Sequence, residues 1–214
     1  TQAKTLFPYT TLFRSGKGLR GMETRDADYV TDIFVANTHT TLLIFSDKGK
    51  LFWLKVHQLP LATRQSKGRS IANVLALRDS EKVMAVLPVE KFEPSTFIVM
   101  VTKNGIIKKT SLDNFSKPRP SGIIALTTDL DDLLVDAKIS DGKSDIFLAT
   151  REGMSIRFVE DDVRPMGRTA RGVKGVALSK GDEVIGMEIL SESRKGTILM
   201  VTENGYGKRT ETDE

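Results

Sequence analysis

Residues 97–110 read FIVMVTKNGIIKKT. A β-rich run, a Thr, two polar residues and Gly105 are followed by a second apolar and basic run, which predicts a β-hairpin. Asn-Gly at Asn104-Gly105 is the strongest short hairpin signal, and the Gly is free to take a positive φ. The same pattern recurs as LLIFSDKGKLFWLK at 42–55, IFLATREGMSIRF at 146–158 and ILMVTENGYGKRT at 198–210. The turn glycines, Gly49, Gly105, Gly153 and Gly205, lie 56, 48 and 52 residues apart, a period near fifty.

A second pattern keeps step with the first. KGLRGMETRDAD (17–28), KGRSIANVLALRDSE (67–81), PSGIIALTTDLDD (120–132) and RGVKGVALSKGDE (171–183) each place glycine and small or apolar residues before an acidic turn. The matched glycines are taken as Gly21, Gly68, Gly122 and Gly175. A further strand-like run follows each turn: DYVTDIFVAN (28–37), KVMAVLPV (82–89), LLVDAKIS (133–140) and EVIGMEIL (183–190). Each unit therefore offers about four short strands, and an even repeat of such units predicts an all-β, propeller-like array of four-stranded blades. About four blades are expected, in units 16–61, 62–117, 118–167 and 168–214. Residues 1–15 are set apart, and a larger array is expected to have been cut short after the fourth hairpin.

The bulk chemistry is that of an ordinary globular chain. Of 214 residues, 39% are hydrophobic and 28% charged, enough for a core across one to two domains. With no cysteine, disulfides, thiolate metal sites and cysteine nucleophiles are excluded, which suits a reducing, cytoplasmic setting. No apolar run approaches the roughly 20 residues of a membrane span, and the opening TQAKTLFPYTTLFRS lacks the pattern of a signal peptide. Neither a membrane span nor export is expected.

Charge is blocked along the chain although the total is only +4. Residues 62–128 carry +6, 129–162 carry −6, 163–181 carry +5 and 182–214 carry −4. Such runs most often only solvate a face. Within the repeat, however, cations fall at matched places. After the hairpin glycine come Lys108 and Lys109, Arg157, and Lys208 and Arg209, whereas the first unit has Phe52 and Trp53 there. A second set leads into the other glycine pattern: Lys17 and Arg20; Arg64, Lys67 and Arg69; Lys117 and Arg119; Arg164, Arg168, Arg171 and Lys174. Recurrent cations in every blade would make a positive edge suited to the closely spaced phosphates of a bent duplex, read by deformability rather than base edges. The same residues would also protect exposed strand edges from aggregation, and on spacing alone the two readings stand level.

Catalytic chemistry finds no foothold. His39 and His57 have no metal or triad spacing. Ala137–Ser144, AKISDGKS, matches a loose phosphate loop but runs into strand-like DIFLAT instead of a helix, so a hairpin connection is expected there. The carboxylates of Asp129, Asp131, Asp132 and Glu160, Asp161, Asp162 match no calcium-loop spacing and are read as solvated turns.

The stretches GMETRDADYVTDIFVANTHTTLLIFSDKGKLFWLKVHQLP, KGRSIANVLAL and MGRTARGVKGVAL, with the hairpins between them, carry a likeness that extends over residues 16–214. They closely resemble the C-terminal domain of the DNA gyrase A protein. The resemblance implies a β-pinwheel, a propeller-like disc whose blades exchange strands and whose basic rim bends double-stranded DNA with little regard to sequence. It implies a partnership with the gyrase A N-terminal domain and the gyrase B protein in an A2B2 holoenzyme that introduces negative supercoils at the nucleoid. ATP and Mg2+ would be used by other domains, leaving none of the catalysis and no cofactor to this region. Of the family's glycine-rich box, Gly16-Lys17-Gly18 matches the end, preceded here by Arg14-Ser15. The C-terminal domain of the topoisomerase IV A protein, which is similar but lacks the box, stays open as an alternative. So does a propeller-like platform for an acidic protein partner.

Overall fold

A computed structural model describes residues 30–63, 66–78, 80–191 and 196–212. In chain order its strands are β1 (Thr41–Ser46), β2 (Lys50–Lys55), β3 (Val83–Val89), β4 (Phe97–Thr102), β5 (Ile106–Ser111), β6 (Ile123–Ile124), β7 (Leu134–Ser140), β8 (Asp145–Thr150), β9 (Ser155–Val159), β10 (Val173–Lys174), β11 (Val184–Leu190), β12 (Thr197–Val201) and β13 (Gly207–Glu211). Short 3-10 turns at Val56–Gln58, Ile71–Asn73, Leu112–Phe115 and Glu160–Asp162 are the only helical elements among the described residues. None is long and apolar enough to cross a membrane.

The four copies of the hairpin motif form β1–β2, β4–β5, β8–β9 and β12–β13, each antiparallel. Their turns share one construction. The Gly49 amide donates to the Ser46 carbonyl at 2.9 Å, and Gly105, Gly153 and Gly205 repeat that bond to Thr102, Thr150 and Thr202. The Ser or Thr of the motif also acts through its side chain, whose oxygen accepts the amide of the residue after the glycine at 3.1–3.3 Å in all four copies. Only glycines have positive φ among the described residues, so Asn104 and Asn204 keep ordinary backbone and the loop is the three-residue form closed by one left-handed residue.

Sheet order shows how the units interlock. The first sheet runs β3-β1-β2-β6, the second β10-β5-β4-β7, the third β11-β8-β9 and the fourth β12-β13. In the first three sheets the hairpin is flanked on its first strand by the run that follows it in sequence. The outer flank comes from farther on: β6, which lies beyond the second hairpin, pairs with β2, and β10, beyond the third, pairs with β5. The expectation of four-stranded blades therefore holds for two sheets, while the third and fourth have three and two strands among the described residues. The sheets also cross the sequence units, since the first draws strands from three of them.

Three sequence expectations are corrected here. Residues 30–37 form no strand, and Ile33 and Val35 are almost fully exposed. The corresponding runs β3, β7 and β11 each pair with a preceding hairpin, whereas residues 30–37 pair with no strand among the described residues. The glycine equivalent to Gly122 is Gly172 rather than Gly175, because Gly122 leads into β6 and Gly172 into β10. AKISDGKS joins β7 in the second sheet to β8 in the third, so it links blades and is not a hairpin. Asp141 Oδ1 accepts the Lys143 amide and the Ser144 hydroxyl there, both at 3.0 Å.

Packing follows strand alternation. Leu43 and Phe45 of β1 join Ile98 and Met100 of β4, Leu112, Phe115, Leu126 and Leu134 in a core between the first two sheets. Val99 and Val101, on the other face of β4, meet Ile146, Leu148, Val184 and Met187 in a core between the second and third. The second sheet is thus apolar on both faces. Leu42, Ile44, Phe52 and Leu54 form a third cluster, capped by Ile71, Leu75 and Leu77.

Candidate nucleic-acid interface

The borrowed strands β6 and β10 occupy the outermost place in their sheets, opposite β3 and β7, which line a common cavity together with β11. The segments that lead into the borrowed strands carry the second set of cations. Lys117 and Arg119 precede β6 and are exposed, with Arg119 held between Pro118 and Pro120 and its carbonyl accepting the Gly122 amide at 3.0 Å. Arg164 and Arg171 precede β10, Lys174 lies on it, and all three are exposed, whereas Arg168 between them is half-buried. Arg171 approaches Asp129 at 3.2 Å, with both side chains mostly in solvent, so screening leaves that pair weak. Lys67 and Arg69, exposed in the equivalent segment before the Ile71–Asn73 turn, extend the series. On β13, the outer strand of the fourth hairpin, Lys208 and Arg209 are also exposed. Lys17, Arg20, Arg64 and the Gly16-Lys17-Gly18 stretch lie outside the described residues.

Three cations expected on this edge are engaged elsewhere. Lys108 is fully buried, and its ammonium donates to the carbonyls of Ala125 at 2.7 Å and Arg168 at 2.5 Å. Desolvation, helped by the Arg168 charge, lowers its pKa to about 8. Lys109, also buried, donates to the Glu160 carbonyl at 3.0 Å, pairs with the Glu160 carboxylate at 3.6 Å and lies 5.2 Å from the centre of the Phe97 ring. Arg157 pairs with Asp145 at 2.7 Å and donates to the Thr212 carbonyl. As placed, Lys108 and Lys109 cannot meet a phosphate.

The register these residues share has a different meaning. Trp53, four places after its hairpin glycine, donates Nε1–H to the Phe115 carbonyl at 2.8 Å. Lys109 and Arg157 hold the same place in the next two hairpins, and each reaches a carbonyl that follows the next hairpin, Glu160 and Thr212. The position is a blade-to-blade donor, filled by an indole, an ammonium and a guanidinium in turn. The first unit, which departs from the pattern of charge, keeps this pattern of hydrogen bonding.

The acidic turns also do structural work. Asp132 is almost fully buried, and its Oδ1 accepts the amides of Asn104 at 2.9 Å and Leu133 at 3.0 Å. Asp182 serves Glu152 at 3.0 Å and Glu183 at 2.8 Å in the same way, so each carboxylate ties an acidic turn to the preceding hairpin turn. Reading Asp132 as part of a solvated turn missed this, although the constant place of the acidic turns behind the hairpins was the available signal. Glu160 was missed for the same reason: it is buried and accepts the Ser140 hydroxyl as well as pairing with Lys109.

On the opposite, inner side, Asp32, Asp136, Lys138 and Glu188 line the cavity between β3, β7 and β11. Lys138 meets Glu188 at 2.5 Å and Asp136 at 3.8 Å. Desolvation raises the pKa of Asp136 to about 6, with Glu188 and Asp32 adding to the shift and Lys138 and the Ala137 amide opposing it. Three carboxylates and one ammonium thus share the inner cavity, while exposed cations follow the outer edge.

The chain matches a family model described as "DNA gyrase C-terminal domain, beta-propeller" over residues 14–37, 40–90, 96–141, 144–191 and 196–214. It is 43% identical over 209 residues to the A chain of DNA gyrase from Buchnera aphidicola subsp. Baizongia pistaciae and, over the same length, to that of Salmonella typhimurium. Each alignment takes in 98% of this chain and 24% of the relative, so the chain spans about a quarter of the proteins it matches. Among solved structures, a C-terminal domain of DNA topoisomerase IV is similar at a TM-score of 0.80 and 29% identity, over 91% of this chain and 60% of that one. A DNA gyrase A C-terminal domain shares the fold at a TM-score of 0.70 and 24% identity, over 92% and 65%.

Proposed function

Because this chain belongs to the DNA gyrase C-terminal domain family of β-propellers, we propose that it binds duplex DNA along the outer edges of successive blades and bends it there. The observation that carries the reading is the placement of Lys117, Arg119, Arg164, Arg171 and Lys174 in exposed segments that lead into or form the outermost strands, with Lys67 and Arg69 exposed in the segment before the Ile71–Asn73 turn. Cations on an edge shared by several sheets meet phosphates at intervals along a curved path. Contacts of that kind position a duplex without reading its bases. Within a holoenzyme of gyrase A and B proteins, in A2B2 form, such a wrap would present a DNA segment for ATP-dependent strand passage, and the ATP, Mg2+ and cleavage chemistry would belong to other domains. The setting would be the cytoplasm, at the nucleoid.

The test is binding to duplexes of about one and about four helical turns, roughly 10 and 40 base pairs, titrated at several salt concentrations. Affinity should rise with length, and log K should fall with log salt at a slope of about −0.9 for each phosphate engaged. Replacing Arg119, Arg171 and Lys174 with Ala should weaken all sequences alike and make the slope shallower by about 2 to 3. A slope near one contact with no length dependence would turn the assignment toward an acidic protein partner.

A further inference from the structure

Lys108 is a buried cation that the surface reading does not use. Its position in the other hairpins is held by Phe52, Ile156 and Lys208, so the second hairpin alone buries an ammonium at this place among the described residues. The two carbonyls it grips belong to different segments. Ala125 follows β6, and its amide is bonded to the Gly49 carbonyl at 2.9 Å, which anchors that segment to the first hairpin. Arg168 lies between Met166, whose amide donates to the Lys109 carbonyl at 2.8 Å, and β10, which pairs with β5. One side chain thus ties the segment bearing Lys117 and Arg119 to the segment bearing Arg164, Arg171 and Lys174.

We propose that Lys108 is a positioning residue for DNA: by clamping two successive outer-edge segments to one ammonium, it sets the spacing between adjacent cation groups and hence the curvature of the bound duplex. The proposal rests on the DNA-binding reading above. Charge-assisted bonds to two carbonyls are short and directional, and a neutral side chain of similar length leaves both acceptors without their donor. The two segments then keep their own cations but lose the link that holds them in step. A duplex short enough to touch one segment should be indifferent to that link, whereas a longer one should not.

The experiment compares the wild-type chain with Lys108→Met on the duplexes of about 10 and 40 base pairs, with fluorescence energy transfer between dyes at the two ends of the longer one. The variant should bind the short duplex within about twofold of wild type, lose about tenfold on the long one and show lower end-to-end transfer at saturation. Lys108→Arg, which keeps a cation and several donors, should recover part of the long-duplex affinity. Should the Met variant not fold, Lys108→Leu, which likewise lacks a donor, takes its place with the same readings. Equal losses on both lengths in a folded variant would assign Lys108 to something other than spacing, and unchanged transfer would overturn the proposal outright. If the wild-type chain itself gains nothing from duplex length, the outer-edge reading fails first and the role of Lys108 with it.

Discussion

Gly49 carries two demands at once. Its φ is +70°, and a Cβ built there would stand 2.2 Å from the Leu126 carbonyl oxygen, because the Gly49 carbonyl receives the amides of both Ala125 and Leu126. Gly153 has a similar φ of +82° but nothing within 4 Å. Gly153→Ala should therefore cost only the left-handed strain of about 1 kcal/mol, while Gly49→Ala should cost more than about 2 kcal/mol by denaturant titration, since a backbone atom must move. Two titrating residues give opposite signatures. The folded-state pKa of Lys108 lies near 8 against 10.5 unfolded, so the unfolded chain holds the extra proton between those values and this residue makes stability rise with pH there. Lys108→Met should flatten that rise in melts taken from pH 8 to 10.5. Asp136 runs the other way: raised from 3.8 to about 6, it binds its proton in the folded state first, so its contribution is present at low pH and is lost as pH climbs through 6. Asp136→Asn should raise the neutral-pH melting temperature by a few degrees and remove that loss.

At the scale of the element, the hairpin and the borrowed strand divide the work. The hairpin was legible because its requirements are local: a short apolar, β-rich run, a hydroxyl acceptor and a left-handed glycine, all within fourteen residues. The borrowed strands β6 and β10 are two residues each, too short for any periodicity, and their partners lie in an earlier hairpin with another between. The blade-to-blade donors were misread for a related reason. A Lys in a strand looks the same in sequence whether it points to solvent or across an interface, and Trp53 concealed the pattern by meeting the same need with an indole. Trp53→Phe should keep the packing against the core that holds Phe115 and Leu43 but leave the Phe115 carbonyl without its donor, at a cost of about 1–2 kcal/mol. A calorimetric melt that matches wild type would show the bond to be dispensable.

Across the whole molecule, exposed cations recur beside the outer strands of two sheets. Three carboxylates and Lys138 line the cavity between β3, β7 and β11, while Arg119, Arg171 and Lys174 lie beside or on the outer strands, a placement that the blocked charge along the chain does not give. If the outer edge constrains a curved path, relaxing nicked plasmid with ligase in the presence of the chain should shift the linking-number distribution, whereas the Arg119, Arg171 and Lys174 triple alanine variant should leave it centred. The fifty-residue repeat, the hairpins, the all-β class and the family resemblance were all written in the sequence, because turn chemistry and strand periodicity act over a few residues. Tertiary structure alone decided which sheet each outer strand joins, and which cations face solvent and which are spent on carbonyls of the next blade. Those outcomes depend mostly on contacts between residues separated by about a whole repeat or more, and the choice between a phosphate and a buried carbonyl for the same Lys turns on burial that no local pattern encodes.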